Sequence, residues 1–273
     1  MASRTARAAV ILFGLANLAL ALGFNLRQGW AISLWPWPLR PLDSILLSSF
    51  LASASAVILW LGGTSEWGAA AGATMNVGLM DAGAAVYLFC AWRDAGAPGL
   101  LDRAAVFALF AILNAVALVW SVRHPIRDAR LMKTPLRVCF ALFSGVLLFA
   151  AIQLLRRAPT IFPWALRPEN STMYGLLFLG SFVYFLYGFL RPSWHNARGQ
   201  LLAFLVYDLV LIPPYAKHFE HVAPAHLTSL RIYMAVMLFS AFVAVYYLFV
   251  DATTRPWFSE PSQATDSLAA LPQ

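Results

Sequence analysis

The sequence predicts an all-α integral membrane protein: eight transmembrane helices arranged as two parallel four-helix repeats. Three observations predict it. Hydrophobic residues make up 61% of the 273-residue chain and charged residues 11%, about half or less of the charge that a soluble domain carries. The apolar residues gather into runs of about 20, the length a helix needs to cross a hydrocarbon core about 30 Å thick. An unusual phrase also occurs twice: WPWPLRPLDS at residues 35–44 returns as FPWALRPENS at residues 162–171.

The runs are continuously apolar, whereas barrel strands alternate over about 10 residues, so helices are expected. Spans are predicted at roughly 8–26, 43–62, 68–91, 104–121, 136–155, 172–190, 199–216 and 231–250. The opening MASRTAR places Arg4 and Arg7 before an Ala-rich run, in the outline of a signal peptide. That run is long for such a peptide and has a counterpart at 136–155, so it is expected to remain as the first span. Residues 253–273 are rich in Pro, Ser and Ala and are expected to form a disordered tail. Cys90 and Cys139 lie in apolar spans and suggest neither a disulfide framework nor a metal set.

The repeat extends outward at a fixed offset of 127 residues. Pro36, Trp37, Leu39, Arg40, Pro41 and Ser44 match Pro163, Trp164, Leu166, Arg167, Pro168 and Ser171. Further on, Trp67 meets Trp194, Gly72 meets Gly199 and Asp81 meets Asp208. Upstream, Phe13, Leu15 and Leu20 meet Phe140, Leu142 and Leu147. The predicted division is a first repeat at 1–127, a second at 128–252 and the tail beyond. Four crossings return the chain to its starting side. The halves are therefore expected to share one orientation and to be related by a pseudo-twofold axis along the membrane normal. Equivalent residues then lie at equal depth.

The phrase reads as an elbow at the membrane interface. Its prolines fix φ and bias the residues before them away from helix. Trp35, Trp37 and Trp164 suit the headgroup region, and Arg40 and Arg167 can reach phosphates. Asp43 with Ser44, and Asn170 with Ser171, are expected to cap the next span. The phrase resembles one in bacterial multi-pass membrane proteins of uncharacterised activity, where Trp-Pro-Trp-x-Leu-x-Pro precedes a span. The resemblance implies a bacterial inner (plasma) membrane location and carries no activity with it.

Lys and Arg divide ten to nine between the two sides, so they set no orientation by number. The basic loop SVRHPIRDARLMKTPLR is the densest cluster and favours cytoplasmic termini at both ends. The net charge of +7 is carried beside the spans. The expected partner is thus a bilayer with anionic headgroups, and nucleic acid is not expected.

Asp81 and Asp208 each lie about ten residues into a span. An aspartate at a helix centre costs about 2.5–3.5 kcal/mol on insertion scales. Matched acids therefore suggest a proton, cation or cationic-solute site between the halves, with Asn76 and Tyr207 nearby. Alternatively the acids tie helices together by bonds to Ser48, Ser49, Asn76 or Tyr207. Pro213 and Pro214 are expected to break or kink their span near its end. His218 and His221, with Glu220 or His226, offer a metal alternative, but their spacing fits no standard zinc pattern. No phosphate-cradling loop, nucleophile elbow or cofactor motif is present. Three functions fit: a small transporter or channel, an intramembrane enzyme acting on a lipid or isoprenoid with the aspartates as acid and base, or an accessory membrane protein.

Overall fold

The computed structural model describes residues 4–126, 128 and 130–254. The expected tail from residue 255 onward, and Arg127 in the basic loop, lie outside the described residues. Eight helices are long and apolar enough to cross a membrane, and no strand occurs among the described residues. Helix α1 spans Arg4–Asn25, the short α2 Gly29–Ile32, α3 Pro41–Thr64, α4 Ala70–Ala95 and α5 Leu100–Ser121. In the second half α6 spans Thr134–Leu155, α7 Pro168–Leu190, α8 Trp194–His218 and α9 Pro224–Val245. A 3-10 turn at Trp67–Ala69 leads into α4, and a π turn at Tyr246–Val250 extends α9.

Within the halves α1 packs along α3, α4 along α5, α6 along α7 and α8 along α9. The halves meet where α3 lies on α8 and α4 lies on α7. The inner helices carry the aromatic and glycine contacts. A Cβ at Gly72 of α4 would stand 2.9 Å from the Tyr187 ring, and one at Gly199 of α8 would stand 3.0 Å from the Trp60 ring. Glycine at these two positions lets the helices of one half approach the aromatic rings of the other. The outer helices turn large apolar side chains outward, among them Leu12 and Leu22 on α1, Leu109, Ile112 and Val116 on α5, and Phe242 on α9. Such surfaces suit contact with acyl chains.

The helix ends gather into two sets. At one, Arg7 donates from Nε to Gly62 O at 2.8 Å, Ser121 Oγ to Trp67 O at 2.7 Å and Arg130 Nη1 to Thr253 O at 2.7 Å. At the other, Arg103 donates to the carbonyls of Ser33 and Leu34, and Ser171 Oγ to Leu154 O. Chain segments 130–132 and 192–194 join at the first set through an isolated antiparallel bridge, Leu131 to Ser193.

The elbows start their helices and also bind each other. Both helices start earlier than expected, with Arg40 and Arg167 as N-caps and Pro41 and Pro168 in the first turn. Proline fits there because its missing N–H is one of the orphaned donors of a helix start. Asp43 therefore caps from inside α3, accepting from Arg40 N at 2.9 Å. Trp164 is buried within the protein; it donates from Nε1 to Asp43 Oδ1 at 2.8 Å, across the boundary between the halves. Trp35 donates to Asn170 Oδ1 at 3.0 Å, and Arg40 to Ala165 O, across the same boundary. Trp37 packs on Tyr87 with ring centroids 5.8 Å apart, and Arg167 pairs with Glu169 at 3.6 Å. The two elbows hold each other. Helix α8 also runs on through Pro213 and Pro214 to His218, so the prolines do not break it.

At the opposite end Lys133 Nζ pairs with Asp251 Oδ2 at 2.6 Å, and the Asp251 side chain is 5% exposed. Burial raises the Asp251 pKa, but the bonds from Lys133 and Thr253 outweigh it and hold the carboxyl below its ordinary range. A depressed pKa stabilises the fold above the unfolded value, about 3.9, and that contribution fades as pH falls through the lower folded value. Lys133 is 41% exposed, so about 1 kcal/mol is expected. Melting of wild type and Asp251→Asn in detergent should differ at pH 6 and converge as the pH drops below about 4. A gap that persists in acid would contradict the assignment.

Candidate functional site

Asp81 of α4 and Asp208 of α8 are 3% and 1% exposed. Each meets one polar side chain on the outer helix of its own half. Asn114 Nδ2 of α5 donates to Asp81 Oδ2 at 3.3 Å. Ser240 Oγ of α9 donates to Asp208 Oδ2 at 2.6 Å. The partners expected from sequence were Ser48, Ser49, Asn76 and Tyr207, and the bonds do not go to them. Ser49 Oγ donates to Leu46 O in its own helix. Asn76 lies against α7, where a Cβ at Gly180 would collide with its Oδ1. Tyr207 packs its ring on Phe50 with centroids 5.1 Å apart. The acids thus face outward within each half, while their neighbours in sequence face the other half.

Chemically the two sites are alike. A serine hydroxyl donates to a carboxylate and accepts from a carboxylic acid, and a carboxamide offers both roles through its two ends. Either acid can gain a proton and keep a hydrogen-bonded partner.

The histidines take another role. His226 Nδ1 lies 2.8 Å from Phe162 O and His218 Nε2 3.2 Å from Pro163 O, so both brace the second elbow. His218, Glu220 and His221, with Leu42, Pro214 and Lys217, line an open surface depression of about 420 Å³. Among the described residues no group of three or more His, Cys, Asp or Glu side chains could hold a metal ion. Of the pair in the metal alternative, His218 has one ring nitrogen against the Pro163 carbonyl, and His221 lines the depression beside it.

Two buried clusters escaped sequence reasoning. Around Asp43, which is 2% exposed, stand Trp164, Tyr174 and Tyr215, and the hydroxyls of Tyr174, Tyr215 and Tyr233 are buried without a hydrogen-bond partner. At the other end Glu66 Oε2 lies 3.1 Å from His195 Nδ1, with His195 1% exposed. The signal for the first was the tyrosine content of the second half alone. For the second there was no signal beyond a histidine near a predicted helix start.

No family model, curated protein or solved structure matches the chain. Function has to be argued from the sites themselves.

Proposed function

We propose that the chain is a small membrane transporter or channel built from two parallel four-helix repeats, with Asp81 and Asp208 as one proton- or cation-binding carboxyl in each half. The observation that carries this reading is the pairing of two buried intramembrane acids at matched positions, each beside a side chain that can serve both protonation states.

The repeat itself is supported by matched bonds. Arg7 donates to Gly62 O, and Arg137 donates from Nε to Phe189 O at 3.1 Å. α1 and α6 end on Arg27 and Arg157 with φ of 52° and 59°. Gln28 N bonds Gly23 O there, and Ala158 N bonds Gln153 O. Such paired closures are the ordinary left-handed helix stop. These pairs place α1 on α6 at an offset of 130, while α3 falls on α7 at 127. The first helix thus aligns three residues away from the expected register. Phe13 pairs with Phe143 and Leu12 with Leu142, in place of Phe13 with Phe140 and Leu15 with Leu142. The first elbow holds the three extra residues and forms α2. Exchange of the halves also turns the α3–α8 contact into α7–α4, and both are present.

Parallel repeats require both ends of the chain and the middle loop to share a face. Reporters inserted at residue 124 and after Thr254 should read the same side, which the cytoplasmic-termini reading makes the cytoplasm. Opposite sides would sink the span count and the repeat together. For the function, purified protein in vesicles should carry a proton- or cation-dependent flux. Failure of every ion and solute tested removes the transport reading. The same two hydrogen bonds favour a second reading, an accessory protein in which the acids tie outer helices to inner ones.

A further inference from the structure

We infer that Glu66 and His195 form a single proton-binding pair between the two halves, at the face where α3, α5 and α7 end and α8 begins. Glu66 stands in the turn after α3, with its side chain 15% exposed, and His195 is the second residue of α8. The 3.1 Å approach of Oε2 to Nδ1 is close enough for an ion pair, yet it lacks hydrogen-bond alignment. Among the described residues, Glu66 Oε2 and both ring nitrogens of His195 are buried without a hydrogen-bond partner. Gln200 Oε1, further along α8, is in the same state.

An unmet buried polar group costs about 1–3 kcal/mol. Several gathered at one place call for an occupant that both donates and accepts. Around His195 Nε2 the groups at hand are acceptors: a Cβ at Gly68 would stand 3.2 Å from Nε2 and from His124 O, and 3.4 Å from Pro125 O. A proton, carried by water, is the smallest occupant that satisfies a carboxylate oxygen, two ring nitrogens and carbonyls together. Uptake balances simply. Hydronium gives one proton to Nδ1 of the imidazole that carries hydrogen on Nε2 and leaves as water, and the imidazolium then has one N–H beside Glu66 Oε2 and the other beside the carbonyls.

Position makes the pair central. His195 follows Gly68 by 127 residues and lies against it. On the parallel-repeat reading, equivalent positions that touch stand beside the axis relating the halves. Ser193 occupies the position equivalent to Glu66, so the pair occurs once, whereas the intramembrane acids occur twice. Solvent-side charges complete the setting. The loop after α5 brings His124, Asp128 and Arg130, the last two paired at 2.6 Å. Arg198 of α8 lies over the Trp60 ring at 5.5 Å. Asp128 acts on His195, and Glu66 and Asp128 act on Arg198. The pair's existence is independent of transport; its part in flux rests on the transport reading.

The test is NMR of 15N-histidine-labelled full-length protein in lipid nanodiscs, with the His195 signal assigned by its loss in His195→Gln. The His195 imidazole should take up a proton as the pH is lowered. Glu66→Gln should move its midpoint by about one pH unit or more, and Asp208→Asn should leave it in place. Glu66→Asp, which keeps the charge on a shorter arm, should move it less and guards against a folding defect in Glu66→Gln. A His195 signal that stays in one form throughout, or a midpoint indifferent to both Glu66 variants, would overturn the pair. A midpoint that moves with Glu66 in protein carrying no flux upholds the pair and removes only the transport reading.

Discussion

Asp208→Asn and Asp81→Asn should each abolish proton- or cation-dependent flux in reconstituted vesicles and leave thermal melting in detergent nearly unchanged. The amide is near-isosteric with the acid and keeps a bond to Ser240 or Asn114, but it carries no exchangeable carboxyl proton and no charge. Asp208→Leu and Asp81→Leu should instead lower stability as well, by about 1–2 kcal/mol for each lost interhelical bond. The larger loss belongs to Asp208, whose bond from Ser240 is 2.6 Å and buried, against 3.3 Å for the Asn114 bond to Asp81. Wild-type vesicles that move nothing, together with early melting confined to the leucine variants, would leave the acids as structural ties.

Asp43→Ala should be among the most damaging single changes in the protein. It removes the acceptor of the Trp164 indole, in the buried elbow contact between the halves, and of the Arg40 backbone N–H at the start of α3. Bonds to a charged group contribute about 1.5–3 kcal/mol and a helix-start cap about 1 kcal/mol, so a loss of about 2.5–4 kcal/mol is expected. Trp164→Phe removes only the indole donor and should cost less. A double-mutant cycle separates bond from packing: coupling between positions 43 and 164 should reach about 1.5 kcal/mol or more. Additive losses would mean that the 2.8 Å contact contributes nothing of its own.

The helices were legible because apolar length is written directly in the chain, and the elbows because proline and tryptophan cluster there. What lay between elements was not. Arg40, Trp164 and Asp43 read as surface anchors and a cap, since nothing in one segment tells which other segment it will touch. The partners of the acids hid for a related reason. Asn114 and Ser240 fall one position out of register in the repeat, so matching the halves could not pair them. His195 was lost to a boundary. The polar run His195, Asn196 and Arg198 placed the predicted span start at 199, whereas α8 begins at Trp194 because the bridge to residues 130–132 and the Ser193 cap start it sooner.

Among the described residues, the mutual hold of the elbows makes the two ends of the protein unlike. Trp35, Arg40 and Trp164 stitch the halves directly at one face. At the other face they meet, among the described residues, through close packing at Gly72 and Gly199, an unaligned carboxylate–imidazole approach and a guanidinium lying over an indole. Any relative movement of the halves would be levered about the elbows and would be widest toward His195. A clothes-peg has this mechanics: a sprung pivot at one point, and jaws whose opening grows with distance from it.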